Sequence, residues 1–222
     1  LDADSIVDSE ALVRIMSYFE NDSNAMAVVP SVTVAGATNV IQKAQIAEYH
    51  MGVYMKKMLD FLGAINVTPG PFTIFRKKVF TDLGPYRHAH NTEDMEIAYR
   101  MQEFNYKIVH CNDAYVYTKS PATIPKLYKQ RARWIYGFIN NTLDYRRVWL
   151  RQKYGNFSLF TLPTGIISII AVCYIFFRMA YGFFDFLYTE LVKFQTVGFD
   201  FGSGISFNFD PFFIEANTSL FL

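Results

Sequence analysis

The chain has 222 residues, with 21 Lys and Arg against 20 Asp and Glu and a formal charge of +1. That balance argues against a nucleic-acid partner, while an apolar share of 51% is enough for a sizeable core. The two cysteines, Cys111 and Cys173, lie far apart without metal-type spacing, which excludes a disulfide framework and makes both core candidates. The chain opens on Leu1-Asp2-Ala3-Asp4 without Met or a signal peptide and closes on Phe221-Leu222, and it reads as a piece of a longer protein.

In chain order, Asp8 and Ser9 are expected to cap a helix that carries Ala11, Leu12, Ile15, Met16 and Phe19 at helical spacing. Asn21 to Asn24 break it, and Ala25 to Pro30 read as a buried strand. A long helix is predicted from Val40 to Leu62, stopped by Gly63. Phe72 to Phe75 form a second strand after the Pro69-Gly70-Pro71 turn, and Asp82 to Pro85 form another turn. Thr92 opens a helix through Phe104. Lys107 to Thr118 alternate as a strand, and helix resumes from Thr123 through Trp149. Helices alternating with short strands up to residue 118 predict an α/β layer architecture.

Three polar strings carry candidate chemistry. Asp2 and Asp4 are expected just after a strand end, and their hard oxygens suit Mg²⁺ or Mn²⁺ together with phosphates; an Asp-rich turn has the same composition. Thr92 is positioned to cap its helix, placing Glu93 and Asp94 in the first turn. The helix terminus favours their ionised form there, ready to take a proton from a hydroxyl. An ordinary acidic first turn reads identically. Gln130, Arg133 and Trp134 fall at i, i+3 and i+4 and share a face, with Arg131 turned about 100° away. Arg offers a bidentate phosphate contact and Trp a flat platform for a sugar ring, although a basic helix with a core Trp also fits. From Lys119 to Lys153 the stretch is basic, with Asp144 its only acid.

Phe157 to Phe177 contains no charge and is long enough, at about 20 residues, to cross a hydrocarbon layer. Pro163 and Gly165 lie near its start, where a membrane helix tolerates them. Arg146, Arg147, Arg151 and Lys153 precede it, which makes that side cytoplasmic by the positive-inside rule. Asn140 to Lys153 suits the membrane interface. Phe183 to Phe194 is a candidate second interfacial helix, and Phe212 to Leu222 a candidate start of another span.

Asp2-Ala3-Asp4, Thr92-Glu93-Asp94, Gln130-Arg131-Ala132-Arg133-Trp134 and the segment Val67 to Arg76 together resemble the membrane-bound family-2 glycosyltransferases. That group includes cellulose, chitin, hyaluronan and poly-N-acetylglucosamine synthases. The resemblance implies an α/β chain: residues 1–139 as the C-terminal part of a GT-A catalytic domain, 140–156 as an interfacial amphipathic helix and 157–184 as a transmembrane segment. Residues 185–222 would be membrane-associated. It further implies that Asp4, helped by Asp2, holds the cation on a diphosphate and that Asp94, beside Glu93, is the general base. Gln130 and Arg133 would contact the diphosphate, Trp134 would line the acceptor sugar and Gly70 would let backbone approach substrate. Arg131 and Thr92 complete the candidate substrate-binding set.

The implied reaction is inverting transfer from a nucleotide-sugar, read as a UDP-sugar, to a growing or lipid-linked glycan at the cytoplasmic face, with membrane lipids as partners. A single-transfer glycolipid enzyme and a non-catalytic membrane module are the other readings. The family's first half, with its nucleoside-binding strand, has no counterpart here, and nothing in the chain visibly grips a uracil ring.

Overall fold

A computed structural model describes residues 5–197. The aspartates at 2 and 4, and the expected start of another span at 212–222, lie outside the described residues. Ten regular elements follow in order: β1 Ser5–Val7, α1 Ala11–Asn21, β2 Ala25–Val34, α2 Val40–Phe61, β3 Ile74–Phe75, α3 Lys77–Leu83, α4 Glu93–Glu103, β4 Lys107–Thr118, α5 Ile124–Asp144 and α6 Leu162–Val197. The strands form one mixed sheet in the order β1-β4-β2-β3. β2 runs parallel to β4, while β1 and β3 pair antiparallel at the edges. The α/β class follows from this sheet and its covering helices.

Alternation along the strands divides the core between two faces. Ala27, Val29 and Ile108 pack with Val79 and Leu83 of α3 and Ile97, Ala98 and Met101 of α4. Val28, Val109 and Cys111 meet Ala11, Ile15 and Phe19 of α1 on the other side. Arg76 ties β3 to that second face. Its Nε donates to the Ala25 carbonyl at 2.7 Å and an Nη to the Phe19 carbonyl at 2.9 Å, so no charge is left unsatisfied at the sheet edge.

Several elements differ from expectation. β2 continues through Pro30 to Val34, because the register slips between Pro30 and Ser31 and a proline is tolerated at such an irregularity. α1 begins at Ala11 with Glu10 at its cap position; the Asp8 carboxylate instead accepts the Glu10 N–H at 2.9 Å. α3, which is not expected from the sequence, takes in Asp82 and Leu83 of the predicted turn, and β3 is cut to two residues. Residues 140–156 are not one helix. α5 stops at Asp144, and 3₁₀ turns follow at Arg146–Val148 and Gln152–Tyr154.

The compact unit around the sheet extends to Ile170, well past residue 139. The reason is a third cluster, in which Tyr145, Val148, Phe157 and Leu162 bury against Ala64, Met95 and Tyr99. The Tyr99 and Phe157 rings meet edge-on at 5.0 Å between centroids. At Gly165 a Cβ would press on the tip of the Phe138 ring, which would have to shift. A π-helical turn at Phe157–Thr161 precedes Pro163, which supplies no N–H to the backbone ladder.

The second unit begins at Ala171. Its described part is helical without a break to Val197, so Phe183 to Phe194 is not a separate helix. Phe157–Thr196 is long and apolar enough to cross a membrane, and only 11% of its most apolar window is buried by protein. Cys111 is buried as expected, but Cys173 is exposed on this helix.

Candidate active site

The centre of the site is the start of α4. Its first turn carries Glu93, Asp94 and Glu96, where the open backbone N–H groups attract negative charge. The Asp94 carboxylate accepts the Met95 N–H at 2.9 Å. That does not hold its pKa down. Burial first, and then the neighbouring Glu93, raise it, against smaller opposing pulls from that backbone bond and from the Arg133 guanidinium. The direction is opposite to the one the helix terminus alone implies, because Asp94 is half-buried and a second carboxylate adjoins it.

Thr92 does not cap α4 with its side chain. Its hydroxyl donates to the Ala89 carbonyl at 3.0 Å and accepts the Asn141 amide at 2.9 Å. Thr92 is buried, and the competing bonds draw its oxygen away from the helix terminus into the contact with α5. That contact is possible because residue 137 is glycine; a Cβ there would overlap Thr92.

The Val67 to Arg76 segment lies against the same helix start. Thr68 is buried and donates both its N–H (3.1 Å) and its hydroxyl (2.8 Å) to the Asp94 carbonyl. Gly70 sits two residues on, in an exposed turn. Thr73 closes that turn by donating its hydroxyl to the Pro69 carbonyl at 2.6 Å.

From α5, the exposed Arg133 reaches back to donate to the Asn91 carbonyl at 2.7 Å. Its charge and those of Glu93 and Asp94 therefore share one neighbourhood. Gln130 keeps its Oε1 buried with no donor among the described residues.

Arg131 departs from expectation. It does not point away from Trp134 but lies over the indole, 4.1 Å from the ring centroid, and pairs with Glu48 of α2 at 2.6 Å. Spacing of i to i+3 makes the two side chains neighbours, and Glu48 fixes which way the guanidinium turns. One face of the indole is thus covered by Arg131.

Sequence reasoning overlooked Lys56, Tyr86, Gly137 and Asn141. Lys56 is half-buried on α2, and burial lowers its amine to about 8 even though Asp94 pulls it upward. Burial, Asp94 and Glu93 together raise the Tyr86 phenol. A glycine inside a long helix with an Asn four residues later was the available signal for the α4–α5 contact. Lys56 has no comparable signature, since it reads as one of several polar positions on α2.

Among the described residues, no group of three or more His, Cys, Asp and Glu side chains converges as a metal site. The first described strand starts at Ser5, immediately after the acidic pair, and pairs Ser5 with Thr118 of β4.

The model of the family described as glycosyl transferase family group 2 matches residues 1–196. Poly-β-1,6-N-acetyl-D-glucosamine synthase of Staphylococcus epidermidis is 30% identical over 176 residues, covering 79% of this chain and 42% of that protein. The synthase of the same description from Staphylococcus aureus (strain COL) is 30% identical over 174 residues, or 78% of this chain and 42% of its own length. The chain therefore spans less than half of the curated relatives it matches. On a match that runs from its first residue through most of α6, the chain belongs to glycosyl transferase family group 2.

Proposed function

We propose that the full-length protein elongates a glycan by transferring a hexose or N-acetylhexosamine from a nucleotide-sugar, a UDP-sugar, at the cytoplasmic face of a membrane. The acceptor hydroxyl gives its proton to Asp94 as its oxygen attacks the anomeric carbon. The bond from that carbon to the diphosphate breaks, and the nucleoside diphosphate leaves with the electron pair. One displacement inverts the anomeric configuration and needs no enzyme nucleophile.

The observation that carries this reading is the electrostatic setting of Asp94. Burial and Glu93 raise its proton affinity, as suits a base, while Arg133 stands close enough to oppose them and to meet a leaving diphosphate. Gln130 and Trp134 share the helix of Arg133, and Gly70 shares the segment that Thr68 binds to Asp94. Asp2 and Asp4 are two hard carboxylates that fit Mg²⁺ or Mn²⁺, with the donor's phosphates completing the shell. Such an ion would neutralise charge on the departing diphosphate. The named relatives support N-acetylglucosamine as the unit transferred and a polysaccharide as the acceptor. The apolar helix supports a membrane setting, and the basic residues before it support a cytoplasmic catalytic part.

The test is Asp94→Asn in the full-length protein, assayed with a panel of labelled nucleotide-sugars. Transfer from one donor is expected in the wild type, falling by roughly 10²–10⁴-fold in the variant. Unchanged transfer removes Asp94 as the base.

A further inference from the structure

The end of α5 and the start of α6 enclose a cavity of about 290 Å³ lined by Ile139, Thr142, Leu143, Arg146, Trp149 and Ile166. Its wall is apolar apart from three groups. The Thr142 hydroxyl is already paired with that of Tyr99 at 3.1 Å. Arg146 and the Trp149 indole are unpaired. Arg146 has no carboxylate partner among the described residues, whereas its neighbour Arg147 is paired with Glu103. The indole Nε1–H of Trp149 is buried with no acceptor among the described residues. A buried donor without an acceptor costs about 1–3 kcal/mol, so a ligand that supplies one is favoured.

We propose that this cavity binds one anionic phospholipid, with an acyl chain against Ile139, Leu143 and Ile166 and the phosphate on Arg146. An ester or phosphate oxygen would accept from Trp149. Three features select this occupant. The cavity wall includes Ile166 of α6, which is followed by Ile167 and Ile170, each 63% exposed, at the start of the helix read as crossing the membrane. Its one charged member, Arg146, is cationic, and Arg151 and Lys153, which follow closely in sequence, also lack a carboxylate partner among the described residues. Its volume is near the bottom of the range for small-molecule sites, roughly 300–1,000 Å³, which suits a single chain rather than a whole amphiphile.

The proposal rests on the membrane reading above, which flotation of the full-length protein with vesicles tests separately. Full-length protein is then placed in nanodiscs of phosphatidylcholine containing either acyl-brominated phosphatidylglycerol or acyl-brominated phosphatidylcholine. The quenching of Trp149 is read as the difference between wild type and Trp149→Phe. Stronger quenching by the anionic lipid is expected, and Arg146→Gln should weaken that preference about fivefold, the worth of one basic group near an anionic surface. Leu143→Gln should reduce quenching by both lipids. Equal quenching by the two lipids, no effect of Arg146→Gln, displacement of the lipid by a polyprenyl phosphate, or no quenching in a protein that does float with vesicles would each overturn the site. Loss of flotation would overturn the membrane reading itself.

Discussion

Asn141 of α5 donates its side-chain amide to the hydroxyl of Thr92 at 2.9 Å, two residues before Asp94. The same amide reaches the Gly137 carbonyl at 2.8 Å, so one fully buried group fixes the start of α4 against the middle of α5. The helix carrying the proposed base and the helix carrying the proposed diphosphate contacts are thereby set in register. A Cβ at residue 137 would overlap Thr92, and the two helices would have to separate. Gly137→Ala is expected to cost about 1–3 kcal/mol by overpacking, despite the better helix propensity of Ala. Transfer should fall further than unfolding accounts for, measured at a temperature where the variant remains folded. Gly52→Ala is the control. Open space surrounds that position on α2, so a gain of up to about 1 kcal/mol is expected in chemical denaturation.

Asp94 makes a second prediction, with two arms of opposite sign. Glu93 raises the Asp94 pKa and Arg133 lowers it. In the pH dependence of kcat/KM, Glu93→Gln should move the acidic limb to lower pH and Arg133→Gln should move it to higher pH. The same raised pKa has a stability consequence. A carboxyl whose folded pKa lies above its unfolded value destabilises the fold at pH above both, and the penalty disappears as pH falls below both. Asp94→Asn should therefore raise Tm near neutral pH while lowering transfer as above, and the gain should vanish under acid conditions. A Tm that is lowered or unchanged at neutral pH would contradict this account.

The α/β alternation, the extent of β4 and the long α2 were legible because their signals are local. Hydrophobic period, a cap or a stop such as Gly63 sufficed in each case. β2 was cut short at Pro30 because the slip that accommodates the proline is made by β4, about eighty residues away, and leaves no mark nearby. The end of α5 was misplaced for a similar reason. Residues 145 to 157 pack on Tyr99 rather than continue the helix, and the basic, aromatic composition of that stretch fits either course. Within the site, the acids at 93 and 94 and the Gln130 to Trp134 string were visible as residue types. Their surroundings were not. That Thr92 bonds Asn141 instead of its own helix, and that Arg131 covers Trp134 instead of turning away, depends on α5 and α2 lying where tertiary packing places them.

Arg131 and Trp134 separate structural from functional contributions on α5. Arg131 is held by Glu48, which is 53% exposed at its side chain, so the ion pair is worth at most about 1 kcal/mol. Arg131→Lys preserves the charge for Glu48 but loses the flat stack on the indole. It is expected to lower stability by under about 1 kcal/mol. If the indole face away from Arg131 carries the acceptor sugar, Trp134→Leu should raise the KM for acceptor by tenfold or so while leaving the donor KM within about twofold, since stacked rings contribute roughly 1–3 kcal/mol. Equal shifts in both KM values would assign Trp134 to packing.

His110 gives the last prediction, on stability alone. It is fully buried in β4, with its Nε2 3.3 Å from the Ser31 hydroxyl. That hydroxyl donates to the Asn112 carbonyl at 2.9 Å, so it accepts from Nε2–H and leaves Nδ1 as the unprotonated, unpartnered nitrogen. Burial, reinforced by the charges of Lys56 and Lys57, lowers the imidazole pKa to about 3. The unfolded chain thus takes up a proton near the ordinary value of about 6.5, whereas the folded chain resists it until about 3. The stability this neutral histidine permits is complete above about pH 6.5 and is lost as pH falls toward 3, at no more than about 1.4 kcal/mol per pH unit. His110→Gln removes the titration but retains a donor for Ser31. Denaturation midpoints of the variant should vary less with pH than those of the wild type between about 6.5 and 3, with the divergence opening on acidification.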